Sequence, residues 1–216
     1  MKSSQKHAFS ASVVAFVFLL SACTSVHSPS GYLGDYSKLQ EGAVLKQEYI
    51  APDADLYSYT KAQVKPVEMK YFENAGGEFS QADIEELSSD LHSSLEAQLG
   101  KKYQVIAETA PADSKTLVVR PALVYVKTPD RLLNALTWWF LFGLTFSKGA
   151  AAFEAKLADG GSGREIAQVA EKRKSAGGIT DVKGIFLGGW LRFASAEGIF
   201  KRWGKDLVKL TSPPEK

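Results

Sequence analysis

The sequence predicts an α+β domain: a mostly antiparallel sheet with helices packed on one face. Apolar and polar residues alternate in several segments, and apolar residues recur at helical spacing in two others. The segments run strand, helix, four strands, helix. That order suits helices laid over a sheet whose strands are joined mainly by hairpins.

From Lys61 to Phe72, Val67, Met69 and Tyr71 alternate with Glu68 and Lys70, which predicts a half-buried strand, and Pro66 places it at an edge or at its own first pairing position. Gly76-Gly77 interrupts the pattern. Ser80 and Asp83 then form a capping pair ahead of Ile84, Leu87, Leu91, Leu95 and Leu99, a helical stripe that stops at Gly100. Tyr103 to Ala107 reads as a short strand and Thr116 to Lys127 as a longer one. In the longer strand Leu117, Val119, Leu123 and Tyr125 share one face, Val118, Val124 and Val126 share the other, and Pro121 signals a bulge or an edge. Ala151, Phe153, Ala155 and Leu157 alternate with Glu154 and Lys156. After Asp159-Gly160-Gly161-Ser162-Gly163, Ile166 to Lys172 returns as the second arm of a hairpin. Lys174 to Gly189 reads as a loop. The last helix carries Ala196, Ile199, Phe200, Trp203, Leu207 and Leu210 on one side, with Lys201, Arg202, Lys205 and Lys209 on the other.

The chain has 216 residues, enough for one core, and its hydrophobic and charged fractions are those of a globular protein. Lys2 and Lys6 account for the whole formal charge of +2; setting them aside leaves 24 basic against 24 acidic residues. That balance, interspersed along the chain, excludes the basic footprint of a nucleic-acid binder.

The N-terminus has the layout of an export signal. A basic start is followed by the apolar stretch Val13 to Leu20, too short to span a bilayer, and then by small residues. Leu20-Ser21-Ala22-Cys23 resembles the lipobox of bacterial lipoproteins, in which the cysteine becomes the acylated N-terminus. Cys23 is also the only cysteine, which excludes an intramolecular disulfide. The expected organisation is a signal peptide over 1–22, a lipidated Cys23 with a flexible tether over 23–31, a domain over 32–211 and a disordered tail over 212–216. Acyl chains on Cys23 would hold the protein to a membrane. Thr24, where an aspartate would resemble an inner-membrane retention signal, points to the outer membrane, with the domain facing the periplasm.

Ser30-Gly31-Tyr32-Leu33, then Asp35-Tyr36 and Leu39, places spaced aromatic and apolar groups just after the tether, where they are expected to dock on the domain. This run, with the later Asp159-Gly160-Gly161-Ser162-Gly163 turn, resembles a family of short proteobacterial lipoproteins catalogued only as a domain of unknown function. The resemblance implies an envelope location and supplies no catalytic residues.

Leu132 to Phe146 lies in a stretch with no charge between Arg131 and Lys148 and holds Trp138, Trp139, Phe140 and Phe142. Two readings stand: a buried segment completing the core, or an exposed surface for a partner or for lipid. Chemistry is sparsely represented. The histidines are His7, His27 and His92, too scattered for a metal or a Cys-His pair, and no Gly-x-Ser-x-Gly elbow occurs. His92 is expected at the surface or boundary of its helix, and the pairs Glu85-Glu86 and Asp53-Asp55 as solvated charge. The sequence therefore points to a non-catalytic binding or accessory component of the cell envelope, with no cofactor and no metal; a periplasmic hydrolase for cell-wall or lipid substrates is the alternative. The residues expected to carry function are Cys23 for lipidation and Trp138, Trp139, Phe140 and Phe142 for partner or lipid contact. The partner in view is the membrane itself, or another envelope protein.

Overall fold

The computed structural model describes residues 29–74, 77–127, 150–174 and 194–214. Its strands are β1 (Gln40–Glu41), β2 (Gln47–Ile50), β3 (Lys61–Val64), β4 (Gln104–Val105), β5 (Thr116–Lys127), β6 (Ala150–Asp159) and β7 (Glu165–Lys174). The helices are α1 (Gln81–Leu99) and α2 (Ala194–Leu210). The strands form one sheet in the order β1-β2-β7-β6-β5-β3-β4. Pairing is antiparallel from β1 across to β5, whereas β3 runs parallel to both β5 and β4. The parallel part follows from α1, which carries the chain back between β3 and the strands that join it. The α+β class is as the sequence predicts, with both helices on one face of the sheet.

Helix α1 begins with a reciprocal cap. The Ser80 hydroxyl accepts from the Asp83 amide at 3.2 Å, and the Asp83 carboxylate accepts from the Ser80 amide at 2.8 Å. Leu87, Leu91, Leu95 and Leu99 are fully buried beneath it. Helix α2 buries Ile199, Phe200, Trp203 and Leu207 against the same core, while Lys201, Lys205 and Lys209 stay exposed. The helices run side by side in the same direction, with Gly204 against Ser94 and Gln98 and Thr211 against Tyr103.

Three local expectations are corrected. The strand expected over Lys61 to Phe72 ends at Val64 and leaves a single bridge from Glu68 to Ala122. Pro66 lacks the N–H a ladder needs, and beyond it Met69 turns to the helix-side core and Tyr71 to the opposite face. The short strand expected over Tyr103 to Ala107 is confined to Gln104–Val105. In β5 a bulge between Leu123 and Tyr125 shifts the register, so Val126 joins Leu123 in the helix-side core while Tyr125 joins Val124 on the other face. Pro121 lies just before that bulge, and its absent N–H points toward β3 where β3 has already ended.

The β6–β7 hairpin forms as predicted. The Asp159 carboxylate accepts from the Ser162 amide and hydroxyl, each at 2.7 Å, and Gly163 takes φ +71. Gly160 is required for a further reason: a Cβ there would lie 2.7 Å from the carbonyl oxygens of Asp113 and Thr116. Gly160→Ala is expected to cost about 1–3 kcal/mol, because backbone and not a side-chain tip must move. Urea denaturation of the variant measures it, and an unchanged midpoint would show that the 113–116 turn yields freely.

Candidate functional site

The face of the sheet opposite the helices carries the most organised polar arrangement among the described residues. Register places its side chains in rows: Tyr49, Gln168, Lys156 and Arg120 in one, Gln47, Ala170, Glu154 and Ala122 in the next, and Lys172, Ala152 and Tyr125 in a third. Glu154 is only 2% exposed although it occupies the outward phase of β6. The segment after the expected tether buries it. Ser30 Oγ and Tyr36 Oη both donate to Glu154 Oε2 at 2.8 Å. The Tyr36 hydroxyl in turn accepts from the amides of Gly31 at 2.9 Å and Leu33 at 3.3 Å. A loop closed in this way needs left-handed backbone at two points, supplied by Gly31 (φ +92) and Gly34 (φ +83). Residues 30–36 thus form a strap pinned to the middle strand of the sheet.

Tyr32 extends the strap. Its ring packs edge-on against Tyr71 with centroids 5.6 Å apart, Lys156 Nζ stands 4.9 Å from its centre, and its hydroxyl donates to the Arg120 carbonyl at 2.9 Å. Burial pushes the Tyr32 phenol up to about 12, and the carboxylates of Glu68, Glu165 and Glu154 add to the rise against an opposing pull from Arg120. Tyr36 is raised in the same sense, again mainly by burial. In an unfolded chain the phenol ionises near its ordinary value of 10.0. The neutral folded phenol therefore contributes fully below that pH, and its contribution is lost as pH rises toward about 12. Alkaline unfolding monitored by circular dichroism should show that decline, and Tyr32→Phe should make it shallower. An identical decline in Tyr32→Phe would assign it to other groups, such as Tyr59, which is also raised to about 12 by burial and by Asp159.

Three concavities surround these elements. Beneath the strap a cavity of about 90 Å³ is lined by Pro29, Tyr36, Gln47, Glu154 and Lys172. It would hold a few waters and is below the roughly 300–1,000 Å³ of small-molecule sites. A groove of about 400 Å³ along α1 holds Val67, Met69, Ile84, Ser88, Ser89 and His92. A hydrolase would find its base here, yet His92 Nε2 donates to the Val64 carbonyl at 3.3 Å and Nδ1 lies 3.6 Å from Glu96. Donation from Nε2 leaves the lone pair of the neutral ring on Nδ1, on the side of Glu96. A third groove, of about 940 Å³, runs between β2 and the end of α2 and includes Ile50 and Tyr57, the exposed large hydrophobic residues among those described.

The match to known proteins agrees with the strap. A family model described as "Protein of unknown function (DUF3313)" covers residues 28–207. The chain belongs to the DUF3313 family. That span takes in the strap, the whole sheet and most of α2, and it fits the lipoprotein family whose Ser-Gly-aromatic-Leu run the sequence resembles. No curated protein matches the chain. Among solved structures, this DUF3313 chain is similar to XCC0632 from Xanthomonas campestris, at 14% identity over 75% of this chain and 88% of that one, with TM-score 0.40. The PelC dodecamer from Paraburkholderia phytofirmans matches at 10% identity, covering 77% and 96%, with TM-score 0.38. Lipoprotein GNA1162 from Neisseria meningitidis matches at 12%, covering 61% and 95%, with TM-score 0.33.

The residues expected to carry function, Cys23, Trp138, Trp139, Phe140 and Phe142, lie outside the described residues. The described strand ends that flank the aromatic segment, Lys127 and Ala150, are paired neighbours, and Ala150 also pairs with Lys174. The chain thus leaves and re-enters the sheet at one end. The sequence predicts docking by Tyr32 or Leu33, Tyr36 and Leu39 but does not single out Glu154, whose phase in β6 marks it only as an outward residue. No described group of three His, Cys, Asp or Glu could hold a metal, and no described helix is long and apolar enough to cross a membrane.

Proposed function

We propose that this DUF3313 protein is a lipid-anchored, periplasm-facing lipoprotein of the outer membrane that serves as a non-catalytic binding or accessory component of the envelope. The observation carrying the reading is Leu20-Ser21-Ala22-Cys23 with the chain's only cysteine, placed seven residues before the first strap residue, Ser30. A folded domain that starts so soon after its anchor stays close to the bilayer. Two or more acyl chains, at about 0.8 kcal/mol per buried methylene, supply a stable attachment.

Cys23→Ser tests the reading. The parent should sediment with outer-membrane fractions and show acyl mass on Cys23, whereas the variant should lose both and keep its leader or appear as free protein. An unmodified thiol in the mature parent, or unchanged fractionation of the variant, overturns it. Partner contact is assigned to Trp138, Trp139, Phe140 and Phe142 because they cluster in an uncharged segment.

A further inference from the structure

We infer that the helix-free face of the sheet is the face turned to the membrane, lying against the phospholipid headgroup layer; this rests on the anchor proposed at Cys23. Tether length limits where the anchor can lie. Ser30 is held at Glu154 on β6, the fourth of seven strands, and Pro29 lines the cavity on that same face. Five residues lie between Cys23 and Pro29, which makes six Cα-to-Cα steps. Even fully extended they span about 20 Å, at roughly 3.3–3.6 Å each.

The alternative orientation, with the helices toward the bilayer, needs a longer path. From β6 either lateral edge is three strands away, about 14 Å at roughly 4.8 Å per strand. The helix layer then adds about 10 Å, for a path of about 25 Å. Leaving by a strand end is no shorter, because Glu154 sits midway along the ten residues of β6. An anchor on this tether therefore cannot reach bilayer lying against the helices without pulling Ser30 from Glu154.

The chemistry of the face suits a headgroup layer. Tyr32, Tyr49 and Tyr125 stand half-exposed on it, beside Lys156, Lys172 and Arg120. Lys156 lies over the Tyr32 ring at 4.9 Å and Lys172 over Tyr125 at 4.7 Å, so each cation presents its charge outward beside an amphipathic ring. Glu68 and Glu165 lie close enough to Tyr32 to act on its phenol, so both signs of charge are present. A mixed face of this kind fits zwitterionic headgroups and requires no anionic lipid.

The test uses the lipidated full chain purified from membranes. Acylation occupies its native sulfur, so one added cysteine takes a fluorescent label uniquely. Labels at Lys172→Cys and Arg120→Cys, both exposed on the face, are compared with Lys201→Cys, exposed on α2. The labelled proteins are reconstituted into phosphatidylcholine vesicles carrying headgroup spin-labelled lipid. Loss of most of the fluorescence at 172 and 120, with little loss at 201, is expected. Equal quenching at all three sites, or stronger quenching at 201, overturns the orientation. Labels at 172 and 120 shielded from aqueous iodide without lipid-borne quenching would mean a second copy covers the face, and would overturn it too. Mass spectrometry of the same sample separates the two ideas: an unacylated Cys23 defeats the anchor, whereas an acylated Cys23 with the wrong quenching pattern defeats the orientation alone.

Discussion

Trp203→Ala should lower the unfolding free energy by about 3–5 kcal/mol, a large fraction of the total for a domain of this size. The Trp203 side chain is fully buried and stacks on two rings at once. Phe153 of β6 lies with its centroid 4.9 Å away at 20°, and Phe200 of α2 lies 5.6 Å away at 26°. The site joins helix to sheet, so truncation opens a cavity where neither neighbour can close in without shifting a main element. One term acts the other way: the indole Nε1 is buried with no hydrogen-bond partner among the described residues, a cost of roughly 1–3 kcal/mol that the substitution removes. Trp203→Phe keeps a stacked ring and drops the unpaired N–H, so it should lose well under half as much as alanine does. Urea denaturation of the purified protein measures both, and equal losses in the two variants would show that stacking contributes little.

Glu154→Ala should release the strap while leaving the sheet folded. Two hydroxyls converge on a carboxylate that, among the described residues, has no basic group within ion-pair distance. Removing the carboxylate relieves a desolvated charge but strands the donors of Ser30 and Tyr36. These effects offset one another in overall stability, so the decisive readout is local. Amide exchange at Gly31 and Leu33, whose N–H groups bond to Tyr36 Oη, should speed up by about ten- to a hundredfold. Exchange in β6 and β7 should stay slow. Glu154→Gln keeps an acceptor and should fall between parent and alanine. Unchanged exchange in Glu154→Ala would mean that packing of Tyr32 on Tyr71, and not the carboxylate, holds the strap.

The two patterns that depend only on near neighbours were legible in the sequence. The capping pair Ser80 and Asp83, three residues apart, and leucines at four-residue intervals define α1 without reference to the rest of the chain. The glycine-rich turn between alternating segments likewise defines the β6–β7 hairpin. Errors arose where a single residue changed the phase. The bulge at Leu123/Tyr125 inserts one position into β5 and exchanges the faces of Tyr125 and Val126; Pro121 signals a bulge in this strand but not the position at which the phase changes. Strands β1 and β2 went unanticipated for a related reason: at two and four residues they are too short to show a period, and they exist only because β7 offers an edge.

What the sequence determined unaided is the α+β class, the two helices and the hairpin, because each is written in spacings of a few residues. Tertiary structure alone decided that Glu154 is buried and that the strap closes over it. Ser30 and Tyr36 stand 124 and 118 residues from Glu154 in the chain. Contacts over such separations follow from how strands are ordered in the sheet, and strand order is set by the packing of the whole core rather than by any local pattern.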